Sequence, residues 1–205
     1  MLSRDAEHLY WLTRYVERIE NTARMINVHS ELMLDFPGDQ SLGWQPIIET
    51  MDSKNFFKKR YSEYSEISAG KFLGDDKENL NSIISSLDMA RYNARAIKDD
   101  LPRSATEQLN NLFNEFSGGM SSSSSRRKRA SYIYNVISGT QRFFGIISDN
   151  FSRGYAFEFM RLGRFVERID MNSRIIDSLC INKSNEQTHD FHTLEWVSML
   201  RTLSA

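Results

Sequence analysis

The strongest constraint in this sequence is a segment that occurs twice. Leu12-Thr13-Arg14-Tyr15-Val16-Glu17-Arg18-Ile19-Glu20 returns 150 residues later as Leu162-Gly163-Arg164-Phe165-Val166-Glu167-Arg168-Ile169-Asp170. Extended to Ile26 and Ile176, the match holds eight identities in fifteen positions, where average residue usage gives about one. Tyr15/Phe165 and Glu20/Asp170 keep their chemistry as well. A period this long is not that of a solenoid. It describes a duplicated helix, or two helices placed for equivalent packing about a pseudo-two-fold axis. Leu12, Tyr15, Val16, Ile19, Ala23 and Ile26 step by three and four and share one helix face. Arg14, Glu17, Arg18 and Asn21 fall on the other.

The rest of the chain supports that frame. Three prolines and ten glycines in 205 residues leave few helix breakers, and no series of alternating β-branched runs reads as strands. The expected fold class is all-α, a helical bundle. Periodicity predicts a helix over 3–35, stopped by Pro37-Gly38, and two or three short aromatic-rich helices over 44–73. It predicts another over 81–100, with Ile83, Leu87, Ala90, Ala94 and Ile97 on one stripe. Ser104 and Glu107 form a capping-box signature for the next, through Phe116. Long helices follow over 127–151 and 155–181, and a last one carries Trp196, Leu200 and Leu203. Residues 117–126, with their serine run, read as a flexible loop, and 182–190 as a polar one. Residues 1–205 read as a single domain in which the two related helices are central, their shared apolar stripes supplying the core.

Composition excludes several classes. Lys+Arg 26 against Asp+Glu 27 gives a charge of −1, which argues against a general nucleic-acid or membrane-surface binder. Arg126-Arg127-Lys128-Arg129 lacks aromatic interleaving and reads as a solvated helix start. No apolar window is long enough for a membrane span, and the first residues do not form a secretory signal. A lone Cys180 fits a reducing compartment, so the expected localisation is cytoplasmic. Without a Walker loop, a Gly-x-Gly-x-x-Gly or a Gly-x-Ser-x-Gly elbow, no cofactor is identified. Glu186 and His189 have the spacing of di-iron bundles but no second copy. His189, His192 and Glu195 are spaced too generically for zinc, and no metal is expected.

The repeated charges carry more information. An amphipathic helix needs only its apolar stripe held, yet Arg14, Glu17, Arg18 and Arg24 are reproduced as Arg164, Glu167, Arg168 and Arg174. One reading is an interhelical lattice of guanidinium–carboxylate forks that fixes packing register. Arg91 and Arg95 then contribute from a third helix. The other is a cleft in which Arg14, Arg18, Arg24, Arg91, Arg95, Arg164, Arg168 and Arg174 bind a carboxylate or acyl-phosphate, with Glu17 or Glu167 as acid or base. Catalysis requires a solvent-reachable carboxylate that arginine does not tie up. A lattice requires the opposite.

Three ordered blocks resemble the bacterial alpha-E family: Leu2 to Trp11 continuing through Arg14 to Arg24, Ser82 to Leu87 continuing through Ala90 to Arg95, and Leu162 to Met171. The resemblance implies an association with a circularly permuted ATP-grasp ligase, often with a transglutaminase-like protein, in making an amide- or peptide-linked product. The leading expectation is an accessory or scaffold protein for that ligase. An enzyme with an Arg/Glu cleft and a helical interaction module with no small-molecule site stand as the alternatives. By that resemblance, family members run on past the block holding Trp196, Leu200 and Arg201, and the expectation is that the family's C-terminal third is absent here. The stripe of Trp196, Val197, Leu200 and Leu203 would then pack back on the domain or form a homodimer, with the Phe56–Tyr64 region as the other candidate interface.

Overall fold

A computed structural model of the chain describes residues 2–35, 43–117, 125–182 and 189–203. Among these residues there are nine helices and no strand: α1 (Ser3–Asp35), α2 (Gln45–Thr50), α3 (Lys54–Lys58), α4 (Glu66–Gly74), α5 (Ile83–Ala96), α6 (Arg103–Ser117), α7 (Arg126–Asn150), α8 (Tyr155–Asn182) and α9 (His189–Thr202). The fold is all-α. None of the described helices is long and apolar enough to cross a membrane.

α1 is the axis of the bundle, packed against α5, α7, α8 and α9. Its apolar stripe is buried, and so are Thr13, Glu17, Glu20 and Asn21 on its polar side. A helix enclosed on both faces must satisfy its polar groups internally. Thr13 does so locally, donating to the carbonyls of Leu9 and Tyr10 at 3.2 and 3.1 Å. The core divides along α1. Leu9, Leu12 and Val16 cluster with Ala90, Ala94, Phe143, Phe157 and Met160. Ile19 and Ile26 cluster with Ile48, Phe72, Leu87, Met171 and Ile175.

α5 lies antiparallel on α1, because Asn81, just ahead of it, meets Arg18 while Asn93 meets His8. α2 to α4 cap the later half of α1 through an aromatic nest. Phe57 stacks on Tyr64 and Tyr61, with ring centroids 4.7 and 5.0 Å apart, and takes Phe72 edge-on at 5.1 Å. The core of the Phe56–Tyr64 region is therefore spent inside the chain. Tyr61 also donates to Asp76 at 3.0 Å. Burial and that carboxylate push its phenol up to about 12.

Several boundaries differ from the sequence expectation. α5 is shorter than 81–100: Ser82 caps its start, its Oγ accepting from the Ser85 amide at 3.2 Å, and Ile97, at φ −121°, leaves the helical range at its end. α6 starts directly after Pro102, which leaves Ser104 inside the first turn. Glu107 pairs with Arg103 at 2.7 Å instead of closing a capping box. The capping box that does form joins Ser65 and Ser68 at the start of α4. Arg126 and Arg129 are not merely solvated: they dock α7 on the Ser30 carbonyl and on Glu66. Most of the predicted flexible loop (118–124) lies outside the described residues, as do Glu186 and Ala205.

The larger correction concerns α8. It packs on α1, but its repeat stripe does not join the core. Ile19 is fully buried and its counterpart Ile169 is 68% exposed. Leu162, Phe165 and Ile176 are exposed too, although Leu12 and Ile26 are buried. α8 instead turns the face of Phe157, Met160, Gly163, Glu167, Met171 and Ile175 inward. α9 covers the core with Met199 and Leu203 and leaves Trp196, Val197 and Leu200 exposed.

Candidate functional site

The two related helices run side by side in the same direction. Gly163 lies against Tyr10 and Thr13, and Glu167, one turn on, meets Arg14 and Arg18. At position 163 a Cβ would collide with the Tyr10 carbonyl and sit 2.5 Å from Thr13 Oγ1. That contact explains why the repeat changes Thr13 to glycine. The helices approach closely here, and one of the two equivalent side chains has to be absent.

Beyond this contact the repeated charges interlock reciprocally. Arg14 Nε and Arg18 Nε each donate to Glu167 at 2.6 Å, and Arg18 adds a second bond at 3.1 Å. In return Arg164 Nε and Arg168 Nε donate to Glu17 at 3.0 and 2.6 Å. Each glutamate thus inserts between two arginines spaced one helical turn apart on the opposite helix. The exchange is what a pseudo-two-fold axis between the helices requires. Glu17 is 0% and Glu167 1% exposed, so both carboxylates are withdrawn from solvent inside the clamp. Burial pulls the Arg14 guanidinium down, but hydrogen bonds to Tyr10 and Glu167 more than offset it, and the shift is upward. Arg168 follows the same balance with Glu17.

The symmetry breaks outside the carboxylates. On the α1 side, Arg14 also donates to the Tyr10 hydroxyl at 2.9 Å and Arg18 to Asn81 at 3.1 Å. The η nitrogens of Arg164 and Arg168 meet no acceptor among the described residues. Met160 stands where the repeat has Tyr10, and none of the described residues takes the place of Asn81. Arg164 lies over the Phe144 ring at 3.7 Å. It rims, with Arg153 and Arg161, a surface cleft of about 280 Å³ floored by Phe144, Phe157 and Met160.

The remaining candidate residues are not drawn into the clamp. Arg24 pairs with Glu20 and Arg174 with Asp170, each within its own helix. Arg91 turns to α6, stacking 4.0 Å above Phe113 and donating to Asn110 at 2.9 Å. Arg95 is exposed. The third contributor is Asn81, a residue without charge or repeat to signal it. No cluster of metal-ligating side chains occurs among the described residues.

The chain belongs to the Alpha-E family, described as a predicted alpha-helical domain with a conserved ER motif, whose model matches residues 1–205. Its own Glu-Arg dipeptides are Glu17-Arg18 and Glu167-Arg168. In each, the glutamate is gripped by the opposite helix and the arginine grips the opposite helix's glutamate. No curated protein and no solved structure matches the chain.

Proposed function

We propose that this protein is a cytoplasmic accessory or scaffold subunit for an ATP-grasp amide ligase, and does not itself catalyse a step. The observation that carries this reading is the closure of the clamp. A general base must offer a lone pair to its substrate, whereas Glu17 and Glu167 are enclosed and each already accepts from two guanidinium groups. A substrate would have to displace an arginine to reach either. Paired guanidinium–carboxylate forks fix the register of two helices, and so the shape of the surfaces they present. The ligase, and a transglutaminase-like protein beside it, enter through the family resemblance of the three sequence blocks. The sequence has no phosphate-binding loop of its own, so ATP belongs to the partner.

A second reading, that the protein holds a carboxylate or acyl-phosphate for the ligase, is favoured by the cleft at Arg164. Its η nitrogens have no acceptor among the described residues, and an aromatic floor lies beneath them.

Co-purification with the ligase followed by product analysis tests both. The scaffold reading expects a complex that forms with wild type and a Glu17→Gln variant that makes product in proportion to the folded protein present. Product abolished with the complex intact would sink it. The binding reading expects Arg153→Gln/Arg161→Gln to lose product while keeping the complex.

A further inference from the structure

The repeat reproduces Leu12, Tyr15, Ile19 and Ile26 as Leu162, Phe165, Ile169 and Ile176, side chains that α8 leaves in solvent. Exposed apolar side chains gathered along one helix mark an interaction surface. What covers the equivalent surface of α1 is known: α5. His8 begins that face of α1 and bonds Asn93 of α5 at 2.9 Å, while Arg18 reaches Asn81 at 3.1 Å. α5 brings Ile83, Ile84 and Leu87 into the core cluster that holds Ile19 and Ile26, and Ala90 and Ala94 into the one that holds Leu12 and Val16.

We infer that the exposed face of α8 receives an amphipathic helix of another polypeptide that repeats the pattern of α5. That pattern is aliphatic side chains in the first turns, alanine in the later ones and a hydrogen-bond acceptor just ahead of the first turn. The pseudo-two-fold axis places this helix antiparallel on α8. Its leading acceptor falls at Arg168, whose η nitrogens meet no acceptor among the described residues, where Arg18 already has Asn81. Its later turns fall at Glu158, which replaces His8 and is exposed and paired with Arg161 at 3.1 Å. The acceptor at Arg168 fixes the orientation, and the apolar stripe supplies the affinity. The inference adds a surface to the scaffold reading without depending on the ligase. A ligase that fails to bind leaves it standing, and a failed peptide experiment leaves the ligase to be found elsewhere.

The probe is a synthetic peptide of residues 80–98, titrated onto the whole chain by fluorescence anisotropy. Saturable binding is expected, weakened about tenfold or more by Ile169→Asp in the chain, because a buried isoleucine contributes at least that factor. Circular dichroism of the variant should be unchanged, since Ile169 is exposed; Leu162→Asp provides a second, independent disruption. A peptide carrying Asn81→Asp should bind a few-fold more tightly at low salt, and the gain should fade as salt rises. Three results would overturn the inference. They are no saturable binding, binding indifferent to both α8 substitutions, and a light-scattering mass showing that wild type self-associates through this stripe while Ile169→Asp does not.

Discussion

The clamp shows how much two side chains of the same type can differ at equivalent positions. Glu17 and Glu167 each lie between two arginines, but Arg14 and Arg18 are more enclosed than Arg164 and Arg168. Removing a carboxylate leaves guanidinium groups without compensation, and the cost depends on how readily they turn to water. Glu17→Ala should therefore destabilise the fold by about 3 kcal/mol. Glu167→Ala should cost more, because Arg14 and Arg18 have less access to solvent. Urea denaturation of both variants checks the order; equal losses would mean that exposure of the partners is unimportant. A different residue-scale test falls at Gly163. Gly163→Ala pushes a methyl group into the Tyr10 carbonyl and should cost about 1–3 kcal/mol, while Gly154→Ala meets nothing within 4 Å and should escape that penalty. The pairing of Glu17 and Glu167 with Arg14, Arg18, Arg164 and Arg168 was legible in the sequence, because the repeat preserved charges that a solvent face would let drift, whereas Arg24 and Arg174, preserved equally, pair within their own helices. The role of Asn81 was not, since one amide in a polar stretch has no spacing to single it out. Arg91 misled for the opposite reason: its position on the edge of a stripe fits α1 and α6 equally, and Phe113 decides between them.

At the scale of elements, the long helices follow from apolar spacing and few breakers, and their boundaries follow from local chemistry that competes with it. Pro102 sets the start of α6 one residue ahead of the Ser104 signature, so the cap that composition favours never forms. The end of α1 is tied down differently, by His29, whose Nε2 donates to the Gly43 carbonyl at 2.8 Å and whose ring meets Trp44 edge-on at 4.8 Å. Burial lowers the His29 pKa from its ordinary 6.5, and the Gly43 hydrogen bond only partly opposes it. A folded-state value below the unfolded one means that the unfolded chain binds the extra proton. This contribution is intact above pH 6.5 and is lost as pH falls through that value toward the folded pKa. Chemical denaturation between about pH 7.5 and about pH 5.5 should show stability falling with acidity, and the slope should flatten in His29→Gln. A slope unchanged by the substitution would assign the pH dependence to other groups.

At the scale of the whole molecule, the repeat fixes a local geometry but not a global environment. One sequence pattern is used twice, and among the described residues only one copy receives a helix on its apolar face, with α5 there to cover it. No reading of periodicity could distinguish the copies, since burial of the stripe depends on which neighbours arrive and not on the stripe itself. The equivalent positions 19 and 169 therefore make the sharpest test of the architecture. Ile19 is fully buried between α1 and its neighbours, so Ile19→Ala leaves a cavity and should cost about 3 kcal/mol. Ile169→Ala removes a side chain already in water and should change stability by no more than about 0.5 kcal/mol. Thermal and urea unfolding of the pair check this directly, because the residue type, the helix context and the flanking Arg-Ile-Asp/Glu chemistry are held nearly constant. Near-equal losses would mean that α8 is covered in solution as α1 is. The difference would then shrink in step with occupancy of that face, and adding the helix that binds α8 should raise the cost of Ile169→Ala toward that of Ile19→Ala.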